Sequence, residues 1–237
     1  MTTDIALQAA DAVFTAEQAV GRARRVVDEL HTTINSALRV LDDAELDSAR
    51  ARLSDRGDHY LEAAGEHLDG LQTRCEDAKH LIHGVYGHLD LAVQALAALG
   101  DLLSAADGLD SAVVADLADL RPRIAVVSEM VILAKPVARA AVRHVESARA
   151  AARQATPASL LEPVTLERSI ATAGKELGRA DEDVRLLENV VDHAAANARQ
   201  SVGIASEITD NARQRMAEQG RDQVPRQVAP ASGSPAR

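Results

Sequence analysis

The residues best suited to chemistry are a carboxylate and two imidazoles, about a third of the way along the chain. Glu76, His80 and His83 follow one another at spacings of four and three residues, which puts all three on one face of an α-helix. Neutral imidazoles and a carboxylate are ligands for zinc and other divalent ions, so one hypothesis is that these three residues form a metal site. The apolar phase of the segment turns that face towards solvent, and no fourth ligand is evident. The pattern therefore favours a solvated polar face over a metal centre.

No other feature of the sequence predicts catalysis. The single cysteine, Cys75, falls on an apolar helix seam, where a thiol packs as a small hydrophobic residue. One cysteine cannot form a disulfide within the chain, which fits a reducing compartment. Phosphate-binding loops, dinucleotide-binding glycine patterns and nucleophile elbows do not occur. We therefore expect a non-enzymatic protein that needs no cofactor.

One short pattern resembles a signal for export. Tyr86 and Asp90 have the spacing Tyr-x-x-x-Asp, which resembles the export pattern of type VII secretion substrates. The resemblance covers these two residues, and the Trp-x-Gly turn found with the pattern in that family does not accompany it here.

The elements that must position these residues are long helices. Aliphatic residues recur with a seven-residue period along four segments, which is typical of helices that each bury one edge. No stretch alternates apolar and polar residues over the length of a strand. The sequence therefore predicts an all-α fold, an elongated antiparallel bundle or coiled coil of four long helices without β-sheet. The expected helices, about 50 residues each, span 3–53, 58–106, 110–155 and 164–217, in a single domain over 1–218.

The ends of the first two helices are less firmly predicted than their cores. The first turn is expected at 54–58, where Gly57 can adopt a left-handed backbone, with Asp42-Asp43 as the alternative. After Ala44 the stripe is expected to shift register and to continue through Leu46, Ala49 and Leu53. In the second helix, the glycines at 84 and 87 bracket an expected kink or break.

Prolines interrupt the later part of the chain. Pro122 and Pro136 fall two heptads apart in the third helix. We predict one bent helix through both, with a new helix starting at Pro122 as the alternative. Residues 219–237 are rich in Pro, Arg and Ser and are predicted to be a disordered tail.

The third segment, 113–155, carries more apolar surface than one seam can bury. Besides its main stripe it has a second seam, and so does the end of the second helix. A helix that is apolar on two sides needs covering on two sides, so we place the third helix at the centre and predict self-association through the 81–140 hairpin. The residues expected at that interface are Leu91, Leu102, Val126, Met130, Leu133 and Val137.

Composition narrows the function classes. The formal net charge is −10, with 36 acidic and 26 basic residues, which disfavours general binding to nucleic acid. Only 1% of residues are aromatic, so pockets lined by rings are not expected. The start of the sequence has no signal-peptide pattern and no window is apolar enough to span a bilayer, so we predict a cytoplasmic location.

These observations favour a protein that works through its surface. The first hypothesis is a scaffold, spacer or adaptor that binds a second copy or another helical protein. In composition the helices also resemble amphipathic coat proteins, namely phasins and exchangeable apolipoproteins, and that resemblance implies contact with an apolar or membrane surface. A metal-binding helical protein using the Glu76 trio is the third hypothesis.

Overall fold

Four long helices account for most of the structure, a computed structural model that describes residues 2–106, 115, 117–156 and 162–222. They are α1 (Thr2–Leu53), α2 (Gly57–Ala106), α3 (Leu120–Ala155) and α4 (Pro163–Asp222). No strand occurs in these described ranges, so the all-α prediction is confirmed. The helices have 52, 50, 36 and 60 residues. The expectation of four helices of similar length was therefore wrong for α3.

The helices close into a ring in which each packs against two neighbours. α1 contacts α2 and α4, and α3 contacts the same two helices. Numbering rises along α2 as it falls along α3, since Lys79 pairs with Glu146 and Asp90 pairs with Lys135. This is the order of an antiparallel up-down-up-down bundle. The third helix does not lie at the centre as predicted, because in a ring of four every helix has two neighbours and one outer wall.

The core follows the seven-residue period that the sequence displays. The α1 residues that recur with this period, from Ala6 to Leu41, are buried. The corresponding described residues of α2, α3 and α4 are buried in the same way, except for the half-buried Leu61 at the start of α2. Seven of the twelve buried residues of α3 are alanines, which lets helix axes approach closely. Ser201, the polar interruption of the last stripe, donates its hydroxyl proton to the carbonyl of Asn197 at 3.0 Å, so its burial leaves no unpaired hydroxyl.

The predicted register shift at the end of α1 is wrong. Leu46 and Leu53 are 49% and 90% exposed, whereas Asp47 and Ser48 are buried. A continuous helix keeps its phase against its neighbours, so polar residues come to occupy the buried positions. The carboxylate of Asp47 accepts a hydrogen bond from Arg50 at 3.1 Å and lies 3.4 Å from His67 of α2.

The first turn lies where it was predicted, for a different reason. α1 ends at Leu53 and α2 begins at Gly57, so the alternative turn at Asp42-Asp43 is wrong. Gly57 does not have a left-handed backbone. A Cβ atom at Gly57 would instead lie 2.8 Å from the backbone oxygen of Ala51, so glycine is required by this close approach. α2 then continues through Gly84 and Gly87 without the expected break.

The prolines of the third segment have different effects. α3 begins at Leu120, so Pro122 lies in its first turn, where backbone N–H groups need no helical acceptor. This start fits the alternative of a new helix at Pro122. Residues 117 and 118 are also helical and a turn at Asp119 separates them from α3, while much of the predicted span before Leu120 lies outside the described residues. Pro136 is inside α3. α4 extends to Asp222, so 219–222 are helical rather than part of the predicted tail. The rest of that tail, 223–237, lies outside the described residues, as do 107–114 and 116.

Candidate interaction surface

Each core stripe has two flanks, and the two flanks face different neighbours. On one flank of α3, the guanidinium of Arg123 donates to Gln200 of α4 at 2.6 Å, and His144 lies 2.7 Å from Glu176 of α4. On the other flank, Lys135 donates to Asp90 of α2 at 2.5 Å. From these contacts, the heptad position of a further α3 residue on either flank shows whether it faces α4 or α2.

Four of the predicted interface residues lie on the α4-facing flank of α3. Val126 and Leu133 are 38% and 47% exposed. Met130 and Val137 are half-buried and pack against the core. The second seam of α3 is therefore the outer rim of the α3–α4 seam, and no further helix of the described chain covers it.

The other two predicted interface residues lie elsewhere. Gly70 and Gly84 of α2 are within 4 Å of α1 side chains, Val40 and Val26, and so mark the α1-facing flank of α2. Leu91 and Leu102 share that flank by their heptad positions. Leu102 is half-buried and Leu91 is 48% exposed. The structure thus separates the two seams that the sequence combined into one surface.

Helix α4 contributes apolar residues that the sequence analysis did not include. Leu186 is 51% exposed and Val190 is half-buried against the core. The antiparallel register set by His144–Asp183 and Arg123–Gln200 brings both level with Leu133 and Val137. A signal was present in the sequence, because leucine and valine doublets at 186–187 and 190–191 exceed what one stripe needs.

Between Arg123 at one end and Asp183 at the other, the outer rim of this seam contains no aspartate, glutamate, lysine or arginine. We call this surface the uncharged stripe. Its α3 members are Val126, Met130, Leu133, Val137 and Ala140, and its α4 members are Leu186, Val190, His193, Asn197 and Gln200. By contrast, ion pairs cross the α1–α4 and α2–α3 seams, among them Arg24–Asp192 and Lys79–Glu146.

His144 connects α3 to α4 next to the uncharged stripe. The hydrogen bond between His144 and Glu176 lowers the pKa of the Glu176 carboxyl. Burial raises the pKa of Asp183, which lies 3.8 Å from the other ring nitrogen of His144. This arrangement holds two helices together.

The residues of the metal-site hypothesis are not arranged as a metal centre. The carboxylate of Glu76 pairs with the guanidinium of Arg149 and lies 3.6 Å from a ring nitrogen of His80. The side chain of His80 is 72% exposed, and His83 lies in a different groove. Within the described ranges, no three histidine, cysteine or acidic side chains are grouped closely enough to hold a metal ion.

Cys75 is fully buried in the core stripe. Burial raises the pKa of its thiol to about 12, although the charge of Arg149 acts in the opposite direction. Burial keeps this thiol protonated at neutral pH, which makes it a poor nucleophile.

The two residues of the Tyr-x-x-x-Asp pattern have partners within the bundle. The hydroxyl of Tyr86 donates to the backbone carbonyl of Lys135 at 2.8 Å. The ammonium of the same lysine donates to Asp90 at 2.5 Å. Tyr86 and Asp90 thus join α2 to α3 just before Pro136, which is a structural role for both.

Comparisons with protein families, curated proteins and solved structures find no match for this chain. In the part of the chain that the structure describes, no helix combines the length and apolar character needed to cross a bilayer.

Proposed function

We propose that this protein is a non-enzymatic helical-bundle protein that works through its outer surface, and that two copies associate through the uncharged stripe. The observation that carries the proposal is the exposure of Leu133 and Leu186, each about half exposed (47% and 51%), on a part of the rim that has no aspartate, glutamate, lysine or arginine. Exposed apolar groups that lie together are typical of contact surfaces between proteins.

The charge distribution restricts where a second copy can bind. With a net charge of −10, two copies repel each other wherever charged walls approach. The uncharged stripe avoids this cost. It is formed by one antiparallel helix pair, so a two-fold axis that lies in the plane of the contact, parallel to the helices, lays α3 of one copy against α4 of the other in an isologous contact.

The size of the uncharged stripe sets the affinity expected for the dimer. From Val126 to Ala140 it extends about 21 Å along α3. Across two helices, such a surface buries less than the roughly 800 Å² per partner of a standard interface. We therefore expect a dimer that dissociates in the micromolar range.

Sedimentation velocity over about 1 to 200 µM protein tests the proposal. The native chain is expected to shift from monomer to dimer across this range, whereas Leu133→Glu and Leu186→Glu remain monomeric. Ile132→Glu is the matched control, because Ile132 is adjacent in sequence, 61% exposed and on the opposite flank of α3. Leu91→Glu tests whether the seam between α1 and α2 takes part in the association. Unchanged association in both stripe variants, with helicity intact, would refute the proposal.

A second candidate function is an amphipathic coat on an apolar surface, reached by opening the bundle. The observation that favours it is the alanine-rich core of α3, since alanine buries little apolar area and separating such a helix costs less than separating a leucine-rich one. Flotation with phosphatidylcholine liposomes or oil droplets distinguishes the two. Protein that floats with the droplets and sediments as a monomer in buffer would replace the first proposal by the second.

A further inference from the structure

A shallow groove of about 680 Å³ lies outside the α2–α3 seam, on the opposite flank of α3 from the uncharged stripe. His83 and Gly87, one turn apart, line it from α2, and Arg139 and Arg143, also one turn apart, line it from α3. The two guanidinium groups therefore project from one helix face at the spacing of neighbouring side chains.

The charge of this groove is positive and not compensated. Asp90 is the carboxylate among its lining residues, and Lys135 neutralises it at 2.5 Å. Arg139 and Arg143 are exposed and take part in no ion pair or side-chain hydrogen bond with the residues that the structure describes. Arg143 acts on Asp183 of α4 only through its charge, favouring the ionised form of that carboxyl.

The positive charge belongs to α3 as a whole. Between Leu120 and Ala155 the helix has seven lysines and arginines and two glutamates, within a chain whose net charge is −10. Lys135 and Arg149 of that set pair with carboxylates of α2. The arginines at 139 and 143 are therefore the part of this excess that faces the groove.

The inner wall of the groove is apolar, and the groove is open at Gly87, which is exposed. A Cβ atom at Gly87 would meet nothing within 4 Å. The half-buried side chains of Tyr86 and Val142 lie beside it, and the tyrosine hydroxyl is already bonded to the carbonyl of Lys135. A ligand with an apolar part would have carbon to contact next to the two cations.

We propose that this groove binds a small organic anion, a carboxylate or phosphate attached to a short apolar body. Arg139 and Arg143 hold the oxyanion through charge-assisted hydrogen bonds, the most favourable pairing for a guanidinium. The apolar body lies over Gly87 against Val142. The proposal does not depend on self-association, because the uncharged stripe is on the other flank of α3.

Titration calorimetry with the full chain tests the proposal, with octanoate, octyl phosphate, inorganic phosphate and octanol as probes. We expect saturable one-site binding of at least one octyl anion and none of octanol. Comparing octanoate with octyl phosphate identifies the oxyanion, and inorganic phosphate shows whether the apolar body is needed.

Variants locate the site. Arg139→Gln and Arg143→Gln are each expected to weaken binding about tenfold, the effect of losing one charge-assisted hydrogen bond. Gly87→Leu, which fills the open space on a helix, is expected to abolish binding while circular dichroism shows an intact bundle. Arg153→Gln is the matched control, an exposed α3 arginine outside the groove. Equal binding of octanol and octanoate, no saturation by either octyl anion up to about 10 mM, or unchanged affinity in both arginine variants would overturn the proposal.

Discussion

Two glycines of α4, four residues apart, test how closely α4 packs against α1. A Cβ atom at Gly178 would meet nothing within 4 Å, whereas one at Gly174 would lie 3.1 Å from the Cδ2 atom of Leu41 in α1. Both glycines lie inside the same helix, so replacement by alanine brings the same gain in helix propensity, about 1 kcal/mol. Only the space around the new methyl group differs.

The expected outcomes differ accordingly. Gly178→Ala should raise the free energy of unfolding by about 1 kcal/mol, which corresponds to a rise in melting temperature of about 2–4 °C for a chain of this size. In Gly174→Ala the side chain of Leu41, which is 5% exposed and packed in the core, must move by a few tenths of an ångström. Overpacking of this kind lowers the free energy of unfolding by about as much as the better helix propensity raises it. The net change in that free energy should therefore be near zero or negative.

Thermal unfolding followed by far-UV circular dichroism measures both variants, with urea unfolding as a second determination. Gly203→Ala, a further α4 glycine with open space around it, should behave like Gly178→Ala. Equal stabilisation by Gly174→Ala and Gly178→Ala would refute the close α1–α4 approach at Leu41. No stabilisation by Gly178→Ala would refute the propensity argument.

Three further predictions concern the contacts between helices and the buried thiol. Tyr86→Phe should lower the free energy of unfolding, measured with urea, by about 1 kcal/mol, the usual value of one lost hydrogen bond. No change would show that the hydrogen bond to the carbonyl of Lys135 is not formed. The hydrogen bond from His144 lowers the pKa of Glu176, so the stability it contributes is present above the pKa of an unfolded glutamate and is lost as the pH falls through the lower folded value. Glu176→Gln should therefore reduce stability at pH 7 and flatten its dependence on pH in the acidic range, measured by melting temperature against pH, and an unaltered profile would contradict this. Because burial raises the pKa of Cys75 to about 12, a thiol reagent should label it rapidly in urea and very slowly in the native protein, and fast native labelling would show that the core stripe is open there.

The heptad period predicted most of the fold because it depends only on helix geometry. Any continuous helix turns the same set of positions to one side, so the seven-residue period alone marks positions such as Leu30, Leu89 and Leu187 as core, and all three are buried. The same reasoning failed at the end of α1. There, neighbouring helices hold the phase and bury Asp47 and Ser48 in place of leucines.

The candidate site was only partly predictable. The sequence identified the second seam of α3 at Val126 and Leu133 but joined it to Leu91, which the bundle places on a different seam. It did not include Leu186 of α4. Assigning partners requires knowing which helix lies on which flank, and side-chain spacing within one helix contains no such information.

The amino-acid sequence by itself thus determined that the chain is helical, which face of each helix is buried and roughly where most helices end, because these follow from local geometry and apolar periodicity. Only the tertiary structure decided the order of helices around the ring and the register between them. Contacts between residues far apart in sequence set that order, from Lys79–Glu146 to His144–Glu176. They place an uncharged stripe on one flank of α3 and a cationic groove on the other.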